Sequence, residues 1–430
     1  MDKPDLLTDL AARGLIHVST DRDALRSRLA EGPIGVYYGC DPTADSLHVG
    51  NLIGLVMLRR FQDAGHRVIA LAGGATGMVG DPSGRSEERN LLDGDTLARN
   101  VAAIKEQISR VVVLDEGSGH LVDNRDWTAP IPLLDFLRDV GKYATVNQMI
   151  ARQSIKARLE GEHGISYTEF SYMLLQANDY LWLHDHVGCQ LQIGGSDQWG
   201  NLVSGVDLIR RARGATVHAL AWPLLLAPDG SKLGKTSGAR TWLDAAKTSP
   251  YQLHQHFVNL SDAEVAQQLP MLSGRPLPDV TALLAEHAAS PERRRAQRAL
   301  ADELTALVHG PAAADAARSA GEVLFGGDPT SASEEALEVV SREVATTSVA
   351  PDQLGDAVEV LVAAGLVSSK GEARRLLDQR GVRANGTVLD DAAALADVAP
   401  LHGEFVLLRK GKQAYHLLRV GHGENSSVRG

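Results

Sequence analysis

Between residues 32 and 227 short apolar runs alternate with amphipathic stretches. The runs at 34–40, 67–72, 111–114, 190–193 and 216–226 are short and apolar enough to predict buried strands. Helical periodicity fills 49–64, 168–184 and 198–213. This rhythm predicts βαβ units, hence a parallel sheet covered by helices. Ligands of such sheets lie at the carboxyl ends of the strands, where the strand order reverses. The glycine-rich turns at 39–41, 73–84 and 194–198 each follow a predicted strand, so all three are expected to line one cleft.

From 249 to about 325 the pattern turns polar and helical, which predicts a separate helical domain. Residues 326–351 are rich in small polar residues and predict a linker with one helix. Residues 368–389 read as a helix with arginines on one face, a turn, and a hairpin closed by Asn385-Gly386.

Composition changes this picture only in part. A chain of 430 residues is too long for one core, so two or three domains are expected. Cys40 and Cys189 lie far apart, which supports neither a disulfide framework nor a metal site. The first residues lack a basic segment followed by an apolar one, and the run at 219–227 is too short to span a bilayer. A cytoplasmic protein without membrane association is expected. The net charge of −11 argues against bulk affinity for nucleic acid. Residues 352–420 are locally neutral, however, with nine Lys/Arg against nine Asp/Glu. Arg374, Arg375, Arg380 and Arg383 fall close together there and form a local basic face.

Two segments carry the chemistry. Residues 41–54 read DPTADSLHVGNLIG and place His48 where a strand passes into a helix, beside Gly50. Free N–H groups and the dipole of a helix N-terminus favour phosphate. Residues 231–236 read SKLGKT and bring two lysines and a threonine into a glycine-containing loop, equipment for a clamp on polyphosphate. A nucleotide-binding P-loop is the alternative for this loop, but the spacing from Gly230 falls one residue short. On the helix at 168–184, Tyr172, Gln176 and Asp179 are spaced to share one face. Their neighbours Met173, Leu174 and Leu175 mark that helix as largely buried. A buried Gln and Asp need partners, and a ligand is one candidate.

HVGN and KLGKT resemble the two signature motifs of class I aminoacyl-tRNA synthetases. The segments YYGCDPTADSLH, GGATGMVGDPSG, YTEFSYMLLQANDY and LQIGGSDQWGN resemble bacterial tyrosyl-tRNA synthetases, with similarity from about residue 5 to about residue 420. The resemblance implies an α/β fold: a Rossmann-type parallel-sheet catalytic domain over 1–248, then an all-helical anticodon-side domain over 249–325. A linker over 326–351 and a small α+β RNA-binding module over 352–424 would follow. It implies activation of tyrosine with ATP and Mg²⁺, no protein-held metal, transfer to tRNA(Tyr), and a homodimer.

The site roles follow from that resemblance alone. Tyr172 and Gln176, with Asp81, would hold the α-ammonium of tyrosine. Asp179 and Tyr37 would bond its phenolic hydroxyl, Thr76 would face the amino acid, and Gln198 the reacting carboxylate. Gly195 and Asp197 fall at the ribose, and Gly39, Asp41, His48, Gly50 and Lys235 at ATP. Thr43, His48, Asn51, Lys232, Lys235 and Thr236 would supply charge and donors to the transition state, and Arg85 and Arg89 would face the pyrophosphate. Asn51 departs from the second histidine of the motif and cannot carry charge. Arg210 and Arg211 would meet the tRNA acceptor arm, or with Arg213 merely compensate a helix C-terminus. Arg374, Arg375, Arg380 and Arg383 would meet RNA phosphate.

A pocket whose buried groups are built for a hydroxyl rejects the analogue that lacks it. Tyrosyl-tRNA synthetases are themselves the usual illustration of that rule. Rival readings are a tryptophanyl-tRNA synthetase, a carboxylate–amine ligase such as pantothenate synthetase, and an RNA chaperone on an inactive synthetase fold. Asp179 and the appended module favour tyrosine over the first two, and the retained lysines argue against the third.

Overall fold

The computed structural model describes residues 5–83, 92–160, 164–225, 240–411 and 414–421. They form two compact units, Met1–Ser249 with His256–Val308, and Pro250–Gln255 with His309–Gly430. This differs from the boundary expected at 248, because helices Asp262–Leu272 and Leu277–Ala289 belong to the first unit.

The first unit is built on a six-stranded sheet of β1 (Val18–Ser19), β2 (Gly35–Cys40), β3 (Arg67–Ala72), β4 (Gly119–Asp123), β5 (Cys189–Gly195) and β6 (His218–Trp222). Its order is β1-β6-β5-β2-β3-β4, parallel except for β1. The chain winds outward from β2 in both directions, so the crevice between the carboxyl ends of β2 and β5 is the switch point.

Successive side chains of β2 point to opposite faces of the sheet. Tyr37 packs with Ile69, Leu71, Ala177 and Tyr180, under helix α3 (Tyr167–Val187). Tyr38 faces α1 (Val49–Asp63), where a Cβ on Gly54 would stand 2.2 Å from its ring. Glycine at 54 is what lets α1 press onto the strand. Helices α2 (Gly94–Val111) and α4 (Trp199–Arg213) complete the cover.

One expected strand is corrected. Residues 111–114 do not form a strand, because Leu97, Val101, Ile104, Ile108 and Val111 make one apolar stripe that carries α2 through Val111. The strand lies later, at β4, whose pattern is only half apolar.

The second unit holds a five-stranded sheet of β7 (Thr346–Val349), β8 (Val382–Ala384), β9 (Thr387–Leu389), β10 (Phe405–Lys410) and β11 (Ala414–Val420), in the order β7-β11-β10-β8-β9. Alternation sorts its residues cleanly. Phe405, Leu407 and Leu417 pack on α5 (Pro311–Leu324) and α6 (Glu334–Glu343). Val406, Leu408 and Leu418 pack on α7 (Ala357–Ala363) and α8 (Lys370–Asp378). Residues 326–351 are therefore not a linker. Their buried Ala336, Leu337 and Val340 belong to this core, and β7 pairs in parallel with β11.

The β8–β9 turn is Asn385-Gly386, both with positive φ. Asn385 is buried, donates to the Ala399 carbonyl (3.0 Å) and accepts from the Leu407 amide (2.8 Å). Asn385→Ala orphans both partners and should destabilise the second unit by about 1–3 kcal/mol. Hydrogen exchange should show β8–β10 amides losing protection while β2 and β5 amides keep theirs. Unchanged protection in β10 would contradict this.

Candidate functional site

A cleft of about 300 Å³ opens at the switch point. It is lined from β2 by Tyr37 to Cys40, from the following loop by Asp41 and Thr43, and from α1 by His48, Gly50 and Asn51. Thr76, Asp81, Tyr172, Gln176, Asp179, Gly195, Asp197 and Gln198 also line it. All the described residues assigned to tyrosine and ATP thus meet in one place. Arg85, Arg89, Lys232, Lys235 and Thr236 lie outside the described residues.

At the deep end, Asp179 is about 1% exposed. Its Oδ1 accepts from Trp127 Nε1 (2.8 Å) and its Oδ2 from Asn124 Nδ2 (2.9 Å). Burial pushes its carboxyl up to about 7, while these two donors pull the other way. Tyr37, nearly buried as well, has a phenol driven well above its ordinary range by burial and then by Asp179. Trp127 is held flat on Trp182, with ring centroids 4.3 Å apart, so its N–H has a fixed aim.

Asn124 is a junction. Its Nδ2 also reaches Thr76 Oγ1 (3.0 Å), and its Oδ1 accepts from the Ala75 amide (2.7 Å). Thr76 donates to Asp41 Oδ1 (2.8 Å), and Tyr172 donates to Asp41 Oδ2 (2.8 Å). Asp41, expected at ATP, is therefore bonded to two residues expected at tyrosine. The turn allows this because a Cβ on Gly73 would stand 2.4 Å from Asp41 Oδ1 and from Thr76 Oγ1.

Asp81 makes a second cluster. It accepts from the Ser83 amide (2.9 Å) and from Gln198 Nε2 (2.6 Å), and Asn201 Nδ2 donates to Gln198 Oε1 (3.0 Å). Asn124, Trp127 and Asn201 were not singled out from the sequence. The signal available for the first two was N-x-x-W directly after β4, at the same sheet end as the glycine turns.

At the other end stands the N-terminus of α1. His48 caps it: the Gly50 amide donates to His48 Nδ1 (3.0 Å), and Asn51 Oδ1 accepts from the His48 amide (3.1 Å). Asn51 thus spends its carbonyl on the capping box, and its side chain is also a hydrogen-bond partner of the Tyr38 hydroxyl. Burial, aided by Arg240, lowers the His48 pKa to about 4. The ring is neutral near pH 7, and because Nδ1 accepts, its proton sits on Nε2 as a donor.

The arginines expected at RNA divide. Arg211 donates to the Tyr143 carbonyl and to Gln148 Oε1, and Arg213 pairs with Asp185 at 2.7 Å. Arg210 is exposed, 3.6 Å from Asp207. Arg374, Arg375, Arg380 and Arg383 are all exposed on the second unit. Arg380 stands 3.5 Å from Asp390, and Arg383 donates to the Gly386 carbonyl (2.9 Å).

Comparison with known proteins gives the family. Residues 29–326 match the family model of class I tRNA synthetases (W and Y), and residues 336–418 match the tyrosine–tRNA ligase SYY-like C-terminal domain. A tyrosine–tRNA ligase of Opitutus terrae is 48% identical, covering 96% of this chain and 99% of that protein. One from Mycobacterium bovis is 48% identical, covering 95% and 97%. Among solved structures, a C-terminally truncated mitochondrial tyrosyl-tRNA synthetase of Aspergillus nidulans is similar at 33% identity. Its TM-score is 0.69, and the match covers 75% of this chain and 95% of that one. The chain therefore belongs to the class I tRNA synthetases of the tryptophan and tyrosine type, and within them to the tyrosine–tRNA ligases.

Proposed function

We propose that the protein activates L-tyrosine with ATP, releases pyrophosphate, and transfers tyrosine to the terminal adenosine of tRNA(Tyr). The observation that carries the reading is the buried Asp179, with both oxygens already oriented by donors, at the foot of a cleft that also holds Tyr37. A hydroxyl entering there finds an acceptor built for it, and a phenyl ring would leave a buried carboxyl without its ligand partner.

The substrate carboxylate is ionised at neutral pH, so its attack on the α-phosphate needs no general base. In-line placement and donors toward the phosphates do the work. Thr43 and the His48 Nε2–H offer such donors, while the Val49, Gly50 and Asn51 amides are already bonded to the Thr241 carbonyl, His48 Nδ1 and the His48 carbonyl. Lys232, Lys235 and Thr236 are assigned the same task by family. ATP enters with Mg²⁺ riding on its phosphates. Asp81, Tyr172 and Gln176 are read as the α-ammonium site, Gln198 as facing the carboxylate, and Asp197 as the ribose acceptor. Exposed Arg374 and Arg375 on α8 are read as contacts for RNA phosphate.

A cytoplasmic homodimer completes the reading. No helix among the described residues is long and apolar enough to cross a membrane. Leu133 (71% exposed), Leu134 (77%), Val146 (58%) and Ile150 (40%) are exposed apolar side chains of the first unit, of the kind a second copy would cover.

Four outcomes test this. Tyrosine should support ATP–pyrophosphate exchange without tRNA, and phenylalanine should not. Tyr37→Phe should weaken tyrosine binding by about 0.5–1.5 kcal/mol. Equal exchange with phenylalanine would sink the assignment.

The raised pKa of Asp179 gives a sign. Its folded-state value of about 7 exceeds the ordinary 3.8, so its stabilisation is complete below 3.8 and lost as pH rises through 7. From about pH 5 to about pH 8 the thermal midpoint of the ligand-free protein should fall relative to that of Asp179→Asn. Parallel pH profiles would rule this out.

Leu134→Glu with Ile150→Glu should convert a dimer to a monomer in sedimentation. A wild-type monomer at micromolar concentration would refute the dimer.

A further inference from the structure

Among the described residues lining the cleft, Asp41, Asp81, Asp179 and Asp197 carry carboxyl groups, and Arg240 alone carries a fixed positive charge. His48 is no help in neutralising phosphate, since burial lowers its pKa to about 4. Apart from the lysines of the KLGKT segment, which lie outside the described residues, a triphosphate therefore meets a single formal cation here.

The position of Arg240 is fixed by backbone. The Val49 amide donates to the Thr241 carbonyl (3.1 Å), and the Leu243 amide donates to the Leu47 carbonyl (2.8 Å). His48 and Trp242 form an antiparallel bridge between these bonds. Residues 241–243 are thus laced along the segment that opens α1, which sets Arg240 beside the His48 end of that helix.

The side chain is aimed as well. Its guanidinium lies over the Trp242 ring, 5.6 Å from the centroid, and that ring meets His48 edge to face at 6.3 Å. Lys247 also lies over Trp242, at 5.4 Å, but its ammonium is engaged with Asp45 at 2.6 Å. Arg240 is exposed, and among the described residues no carboxylate lies within ion-pair distance of it. A weakly hydrated, planar cation held on an aromatic face and left without a carboxylate is suited to bidentate contact with phosphate.

We propose that Arg240 is a further substrate-binding residue of the activation step, holding the β- and γ-phosphates of ATP and the departing pyrophosphate, with Trp242 as the platform that aims it. This rests on the reading that the cleft uses ATP. Among the described residues no hydrogen bond or ion pair joins Arg240 to Asp81, Tyr172, Gln176 or Asp179, so its effect is expected on the polyphosphate.

The test uses the full-length protein with Arg240→Gln and Arg240→Lys. Binding of inorganic pyrophosphate, AMP and tyrosine is measured separately by calorimetry, and KM for ATP by pyrophosphate exchange. Arg240→Gln should weaken pyrophosphate and raise KM for ATP roughly 10- to 100-fold, the range for a hydrogen bond to a charged group. AMP and tyrosine should stay within about twofold, which also shows that the variant is folded. Arg240→Lys should fall between, because charge returns without the planar fork. Equal weakening of AMP and pyrophosphate would make Arg240 a shaper of the cleft and overturn the proposal. So would unchanged pyrophosphate affinity. Pyrophosphate binding is read without tyrosine, so a wild type lacking tyrosine-dependent exchange counts against the activity alone.

Discussion

A carboxyl group buried as deeply as Asp179 must be partnered, and the architecture of the tyrosine end follows from that requirement. Two donors reach it, and neither is loose. Trp127 is pinned by its stack on Trp182, and Asn124 is pinned by the Ala75 amide that its own oxygen accepts. Asn124 then carries the constraint to Thr76, Thr76 to Asp41, and Asp41 to Tyr172. The ends of β2, β3 and β4 and the helix α3 are joined through five side chains. Only a glycine at 73 leaves room for the link between the first two.

The same cleft is polarised along its length. Carboxyl groups collect in the part of the cleft assigned above to an ammonium and a hydroxyl, whereas the α1 end offers a neutral histidine and one arginine. Such a gradient orients a zwitterionic amino acid and a polyphosphate without any titrating catalyst between them. Attack by an already ionised carboxylate needs little else from the protein.

Much of this was legible in the sequence because it is periodic or motif-bound. The apolar runs at β2 and β3 and the Tyr172–Gln176–Asp179 spacing on α3 are local signals, and the structure places them together. The Asn385-Gly386 hairpin is another, since left-handed φ at both residues selects those residue types. What was missed is tertiary. Val111 to Val113 look like a strand until the stripe from Leu97 onward assigns the first of them to a helix. That one displacement hid β4, and with it the fact that Asn124 and Trp127 leave the sheet at the ligand end. The polar segment 326–351 read as a linker because its apolar stripe is only Ala336, Leu337 and Val340. Its role shows only once Phe405 and Leu407 are seen to need cover. Arg240 follows a motif without belonging to it, and its place is set by pairing with residues nearly 200 positions earlier.

The central claim is that Asp179 is the acceptor for the substrate hydroxyl. With the carboxyl of Asp179 pushed up to about 7, accepting a hydroxyl should favour its ionised form, and tyrosine binding should release protons. Calorimetry of tyrosine binding at about pH 7, in buffers of different protonation enthalpy, counts them. A release of a fraction of a proton per site, absent in Asp179→Asn, is the predicted result. Tyrosine binding with no proton release, or with proton uptake, would contradict it.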